Sequence, residues 1–243
     1  MKANPTRNTK DSNADTTLAS ERWRALSRTT GVIALVAVVL LFGPIIAIST
    51  VGEPPFDATQ EEAATFFRDA DSAWVHAAQA TASIGMLAFL WFVVGLTTLL
   101  RRIEGEPAWR STLALVSGTL VAAYGVVDAS WDAAANRGTD LDPAVALYAF
   151  DLGNLGFANV WLAMASFAIA VGWVLLDSRA LPALWAWWAV VSGLGLVVAR
   201  IVWEGSLWLL PYGLFWVWII ALAIRLIRHR AAWAQETRHE VDT

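Results

Sequence analysis

Residues 183–224 read ALWAWWAVVSGLGLVVARIVWEGSLWLLPYGLFWVWIIALAI, two apolar runs parted only by Glu204-Gly205. A helix needs about 20 mostly apolar residues to cross a hydrocarbon core, and each run has that length. The link between them is too short to do anything but turn back, so Ala183–Trp203 and Ser206–Ile224 are expected as an antiparallel transmembrane hairpin. Arg200 stands inside the first run, and Glu204 lies one helical turn beyond it. Ionisable side chains at such depth normally face protein or water and find a partner.

Four further blocks have the same character: Gly31–Thr50, Ala78–Leu100, Thr112–Ser130 and Asn154–Leu176. The chain of 243 residues is 57% hydrophobic and only 16% charged, with fifteen Trp. It therefore reads as an all-α polytopic membrane protein with six transmembrane helices over residues 29–228. Residues 1–28 are polar, without an apolar period, and are expected as a disordered cytoplasmic tail. Residues 229–243 form a second cytoplasmic tail. The first block is longer than a signal-peptide core and follows a long polar stretch, so an uncleaved first span is expected. Pro44 and Pro211 are expected to kink their spans.

The basic residues set orientation. Arg22, Arg24 and Arg28 precede the first span, Arg101, Arg102 and Arg110 lie between the second and third, Arg179 between the fourth and fifth, and Arg225 and Arg228 follow the sixth. By the positive-inside rule those segments are cytoplasmic, with both termini inside a bacterial plasma membrane.

The first outer connection has its own pattern. Pro54-Pro55 starts a turn, Asp57 or Thr59 can cap a helix with Gln60 or Glu62 three residues on, and Phe66, Phe67, Ala70 and Trp74 recur near helical spacing. A short amphipathic helix anchored on the membrane surface is expected, with a lid over an outer cavity as the alternative. The second outer connection, 132–151, reads as a turn followed by a separate short helix, Ala144–Phe150. Val94-Gly95 with Val116-Ser117-Gly118, and Val171-Gly172 with Val191-Ser192-Gly193, hint at a parallel repeat pairing spans two and three with four and five.

Counting about 1.5 Å per residue from the cytoplasmic ends puts Asp128, Asn159 and Arg200 at one level, about 27 Å up. Asp132, Asn154 and Glu204 lie one turn higher, and His76 and Asp151 near the outer headgroups. Arg200 cannot shed its proton, so Asp128, Glu204 or Asp151 is expected to neutralise it. A structural clamp between spans is the first reading of this polar cluster. A pocket for an ion or small solute is the second.

Other chemistry is poorly represented. With no Cys there is no disulfide framework or thiolate metal site, and the net charge of −4 gives no reason to expect nucleic acid as a partner. The two Lys, Lys2 and Lys10, lie in the N-terminal tail, which excludes an intramembrane Schiff base. His76 is the only histidine outside the C-terminal tail, so a two-imidazole haem site is missing. His76 with Asp128, Asp132, Asp151 and Glu204 leaves a metal-dependent membrane enzyme as a third class. No cofactor is called for. Trp185, Trp187, Trp188, Trp216 and Trp218 are expected to face lipid, as an aromatic surface rather than a ligand cage.

Pro54-Pro55-Phe56-Asp57 with the Glu61–Asp69 helix, Phe89-Leu90-Trp91-Phe92 leading to Leu99-Leu100-Arg101-Arg102 with Glu104-Gly105, and the stretch from Trp109 to Gly118 carry a likeness. In these the chain resembles a set of actinobacterial six-span integral membrane proteins of unknown function. The resemblance implies fold and location. It carries no catalytic residues.

Overall fold

The computed structural model describes residues 6–127, 130–203 and 206–228, and among them it is helical with no strand. Eight α-helices follow in chain order: α1 (Thr6–Ile48), α2 (Gln60–Ala70), α3 (Ala73–Glu104), α4 (Trp109–Val127), α5 (Ser130–Ala135), α6 (Pro143–Ser178), α7 (Ala183–Ile201) and α8 (Leu209–Arg228). Six of the helical stretches are long and apolar enough to cross a membrane; five contain an expected span whole, and the fifth, Ala183–Ile201, stops two residues short of Trp203. Their outward side chains are apolar too, as at Val39 (69% exposed), Trp91 (65%) and Ile201 (76%). Such a surface is stable only against lipid, which makes the chain a multi-pass membrane protein.

The six long helices close a ring in the order of the chain. α1 packs on α3, α3 on α4, α4 on α6, α6 on α7, α7 on α8, and α8 returns to α1. Short connections after α3 and α6 force antiparallel neighbours. Where the hinted repeat pairs spans two and three with four and five, the structure brings all six into one arrangement, with α1 and α8 sealing it. Their contact is close: a Cβ on Gly31 would stand 2.6 Å from the carbonyl oxygen of Ala223. One turn earlier, Ser27 Oγ donates to the Leu226 carbonyl at 3.0 Å, so a buried hydroxyl adds direction to that contact.

Three local expectations change. α1 runs back to Thr6, where a disordered segment to residue 28 was expected; Trp23, on its extension, lies under the Arg102 guanidinium at 4.5 Å. Residues 1–5 and the tail 229–243 lie outside the described residues. The short helix expected at 144–150 is the first part of a continuous α6, started by Asp142, whose side chain accepts from Ala144 N at 2.8 Å, with Pro143 at the first helical position. Pro211 sits in the first turn of α8, where its missing N–H would have had no intrahelical acceptor in any case. A kink is not needed there.

The apolar stripe of α2, expected to anchor on the membrane surface, is buried within the chain itself. Thr59 and Glu62 form the capping box, with Thr59 N donating to Glu62 Oε2 at 2.8 Å. The apolar face beyond it is turned inward: Phe66 and Phe67 are 5% and 1% exposed. They pack with Trp131 of α5 and Phe150 of α6, and the Trp131 and Phe150 rings stack at 5.7 Å. An amphipathic helix buries its stripe against whatever apolar surface is nearest, and here the chain itself supplies it. α2, α5 and the start of α6 form a roof over one end of the ring. The opposite end carries Arg101, Arg102, Arg110, Arg179, Arg225 and Arg228, against Arg68 and Arg137 at the roof, and is the basic end.

The ring interior is aromatic. Trp161 and Trp218 are fully buried, and Trp216 is 4% exposed. Phe89 meets Phe167 at 6.2 Å and Trp216 at 5.6 Å, edge to face. Trp216 and Trp218 thus face the interior, against the expectation of lipid contact, while Trp187 does face outward.

Candidate functional site

Beneath the roof the ring is not filled. A cavity of about 300 Å³ is lined by Leu41 and Ile45 of α1, Gln79, Ser83 and Met86 of α3, Val121 and Tyr124 of α4, Phe157, Val160 and Met164 of α6, and Tyr212 and Trp216 of α8. Phe66, Trp131, Asp132 and Glu53 close it from the roof. These positions follow helical spacing: 79, 83 and 86 on α3, 157, 160 and 164 on α6, 212 and 216 on α8. Residues three, four and seven apart share one helix face, so each helix offers a single stripe to the space. Five of the six ring helices contribute, and α7 does not.

Much of the polar equipment is already engaged. Ser83 Oγ donates to the Gln79 carbonyl at 3.2 Å, and the Tyr124 hydroxyl donates to the Gly153 carbonyl at 3.2 Å. Phe157 and Tyr212 meet at 5.5 Å, and Tyr212 and Trp216 at 6.2 Å, giving an aromatic wall between α6 and α8.

Glu53 also lines a second, wider cleft of about 900 Å³ with Pro54, Pro55, Asp57, Asp151, Trp203 and Trp208. The Pro54-Pro55 turn holds Phe56 against Trp203, ring centres 5.4 Å apart, along the side of this cleft. Apolar walls around Glu53 push its carboxyl up from the ordinary glutamate value, through loss of hydration. The residue is still open to the clefts, so water tempers that rise.

The residues singled out in the sequence do not form one cluster. Arg200 and Asn159 do meet, as their common depth implied: Arg200 Nε donates to Asn159 Oδ1 at 2.9 Å. Arg200 lies in the last turn of α7, half-buried, and Asn159 is exposed, so the pair stands on the outside of the ring and away from the cavity. Its expected counter-charges Asp128 and Glu204 lie outside the described residues; among those that are described, no carboxylate is within ion-pair reach of Arg200. Asp132 lines the inner cavity, and Asp151 the outer cleft. Asn154 is 5% exposed, with its amide nitrogen lacking a hydrogen-bond partner. His76 Nε2 lies 3.2 Å from Asp71 Oδ1, beside the roof. No three His, Cys, Asp or Glu among the described residues are placed to hold a metal ion.

Reasoning from the sequence missed Glu53, which lies in a connection, and Gln79 and Tyr124, which put no charge into the spans that hold them. It also missed a polar knot at the basic end. Glu104, its side chain 2% exposed, accepts from Arg110 N and Nε at 3.0 and 2.9 Å and from Ser111 N and Oγ at 2.8 and 2.5 Å. Arg110 Nη2 continues to Asp177 Oδ2 at 2.8 Å. A carboxylate set on the first N–H groups of α4 satisfies donors that the helix leaves open, and Arg110 joins it to α6. This knot fixes the start of α4 to the end of α3 and to α6. The signal for it was Glu104-Gly105 just before the Trp109-Arg110-Ser111 helix start. No family model matches the chain, and no curated protein or solved structure is similar to it.

Proposed function

We propose that the chain is a multi-pass protein of a bacterial plasma membrane, with both termini cytoplasmic, and that it binds a small solute in the roofed cavity as a carrier or carrier component. The observation that supports this most is the cavity itself, bounded by five ring helices and by a roof whose own core is separate from theirs. A fold that needed only to pack would fill that space, since interiors are otherwise close-packed. The arginines at the opposite end support a cytoplasmic basic end and an extracytoplasmic roof.

The chain has no Cys, so single cysteines report on access directly. Ser83→Cys in the cavity, Asp140→Cys at the roofed end and Arg179→Cys at the basic end are treated in intact cells with a small membrane-impermeant thiol reagent. The proposal expects modification of the first two, and of the third only after permeabilisation. Modification of Arg179→Cys in intact cells would reverse the orientation. A Ser83→Cys that stays inert even in purified protein would remove the solute cavity.

A second reading gives the polar cluster a packing role, with Arg200 clamped between α7 and α6 and neutralised by Asp128 or Glu204. The Arg200–Asn159 hydrogen bond supports it. It is compatible with a solute cavity, because α7 contributes nothing to that cavity.

A further inference from the structure

Buried N–H groups in folded proteins nearly always have an acceptor, and the indole N–H of a buried Trp follows that rule. Four toward the roofed end of this protein have none: Trp131 Nε1, Asn154 Nδ2, Trp161 Nε1 and Trp216 Nε1. Trp131 and Trp216 line the roofed cavity, and Trp216 is 4% exposed. Trp216 Nε1 stands beside the Tyr212 hydroxyl, one turn earlier on α8, without reaching hydrogen-bond geometry. The indole has no acceptor to offer in return, so the hydroxyl keeps a proton to give. Tyr212 lines the cavity as well, so two donors one turn apart on α8 belong to one stretch of its wall. Trp131 Nε1 lies against Gly153 of α6, which leaves the α8 pair as the donors a ligand can meet.

These donors restrict what an occupant must offer. A quaternary cation has no acceptor to give them. An anion has, but shares the space with the Glu53 carboxylate. A hydrocarbon fills the volume and leaves both protons unanswered. A carbonyl oxygen carries two lone pairs, enough to take Trp216 Nε1 and the Tyr212 hydroxyl together, and brings no proton of its own to place. A polyol brings several, each losing its water among Leu41, Ile45, Met86, Val121, Val160 and Met164. The carboxylates ask nothing of the ligand, because Asp132 is already engaged in a contact and Glu53 opens onto the outer cleft. The rings set the rest of the molecule: Phe157, Tyr212 and Trp216 form a wall that suits a flat, conjugated body. At about 300 Å³ the space is at the small end for ligand pockets, which keeps that body compact.

We propose that the roofed cavity takes a small uncharged aromatic carbonyl compound, whose oxygen accepts from Trp216 Nε1 and the Tyr212 hydroxyl. This rests on the reading of the cavity as a solute site and names the chemistry of its ligand.

The test uses the purified full-length protein in detergent, with benzophenone as probe, because it is an uncharged diaryl ketone that ultraviolet light attaches to whatever it touches. The geminal diphenylethylene, with a methylene in place of the oxygen, is its isostere; phenyltrimethylammonium is the cation and inositol the polyol. The proposal expects saturable attachment at Met86 or Met164, both in the lining, mapped by mass spectrometry. The infrared band of an isotope-labelled carbonyl should move to lower frequency on binding. The hydrocarbon should compete at least tenfold more weakly, and the cation and the polyol not at all. Trp216→Phe and Tyr212→Phe should each weaken benzophenone at least fivefold, move the carbonyl band back and leave the hydrocarbon unchanged. Trp161→Phe removes an equally unanswered N–H outside the lining and should change neither binding nor band. Should Trp216→Phe misfold, Tyr212→Phe carries the comparison. Competition by the hydrocarbon equal to that of unlabelled benzophenone, with both substitutions without effect, would overturn the carbonyl proposal and leave a solute cavity standing. Stronger competition by the cation or by inositol than by the hydrocarbon would overturn it in favour of that class. Attachment confined to lipid-facing residues would overturn it as well; the separate accessibility of Ser83→Cys then decides whether a solute cavity remains.

Discussion

Arg200 and Asn159, on neighbouring helices and 41 positions apart in sequence, are joined by a 2.9 Å hydrogen bond on the outer side of the ring. Arg200 sits in the last turn of α7, where its charge also answers the partial negative charge of the helix end, and Asn159 reaches it from α6. Hydrogen bonds to charged groups contribute about 1.5–3 kcal/mol, and partial exposure places this one toward the lower figure. Arg200→Ala and Asn159→Ala should each lower stability in detergent. A double-mutant cycle by denaturant or SDS unfolding should return a coupling of about 1 kcal/mol. Thiol labelling of Ser83→Cys in the cavity should be unchanged by either, since α7 contributes nothing to its lining. Additive losses would mean that the bond contributes nothing to packing.

The knot at the basic end should matter more. Glu104 is nearly inaccessible and holds four hydrogen bonds, so its removal strands Arg110 and two donors of α4. Breaking a buried pair from one side costs about 3–5 kcal/mol. Glu104→Ala should lose stability in that range, and Ser111→Ala about 1 kcal/mol, the ordinary value of a single hydrogen bond. Asp177→Ala should cost less than Glu104→Ala, because Asp177 is 65% exposed and water screens its pair with Arg110. Thermal unfolding of the three variants orders them, and an Asp177→Ala as damaging as Glu104→Ala would contradict this account.

How much of this was legible in the sequence depends on the kind of contact. Each of the six spans follows from its apolar block, because crossing hydrocarbon demands length and apolarity whatever the neighbours are. The inward direction of Trp216 and Trp218 does not follow, since a ring interior and a lipid tail are equally apolar and hydropathy cannot tell them apart. Counting residues brought Arg200 level with Asn159. Depth alone carries no angle around the helix, and the phase of α7 turns Arg200 out of the cavity. For α2 the sequence shows an apolar stripe and its capping box, while the partner of Phe66 and Phe67, Trp131 with Phe150, comes from segments 64 to 84 residues later in the chain. Glu104 and Glu53 looked like ordinary loop charges. Only the packing around them separates a helix-fixing carboxylate from one that faces a cavity.

The roof should be separable from the ring. Its core has Phe66, Phe67, Trp131 and Phe150 at its centre, distinct from the aromatic interior below. Truncation of a buried Phe costs about 3–5 kcal/mol. Phe67→Ala should therefore loosen α2 and leave the ring intact, seen as faster hydrogen exchange over 60–70 with unchanged protection in α3 and α6. Thr59→Ala removes one half of the capping box and should give the same pattern at about 1 kcal/mol. Equal deprotection throughout would mean that roof and ring unfold as one unit.

Glu53 gives stability a definite pH dependence. Its carboxyl is raised in the folded protein by loss of hydration, so between the ordinary glutamate value and the raised one the native state holds a proton that the unfolded chain has released. Stability from this group is therefore greatest below the ordinary value and falls as pH rises through the raised one. Other ionisable groups share its two clefts, namely Asp57 and Asp151 outside and Asp132, Tyr124 and Tyr212 within, so wild-type protein alone does not isolate it. The difference in melting temperature between wild type and Glu53→Gln does: the variant, permanently neutral, should match the wild type at low pH and exceed it as pH rises. A Glu53→Gln protein that gains nothing over the wild type as pH rises would mean that its surroundings do not hold the carboxyl above the ordinary value.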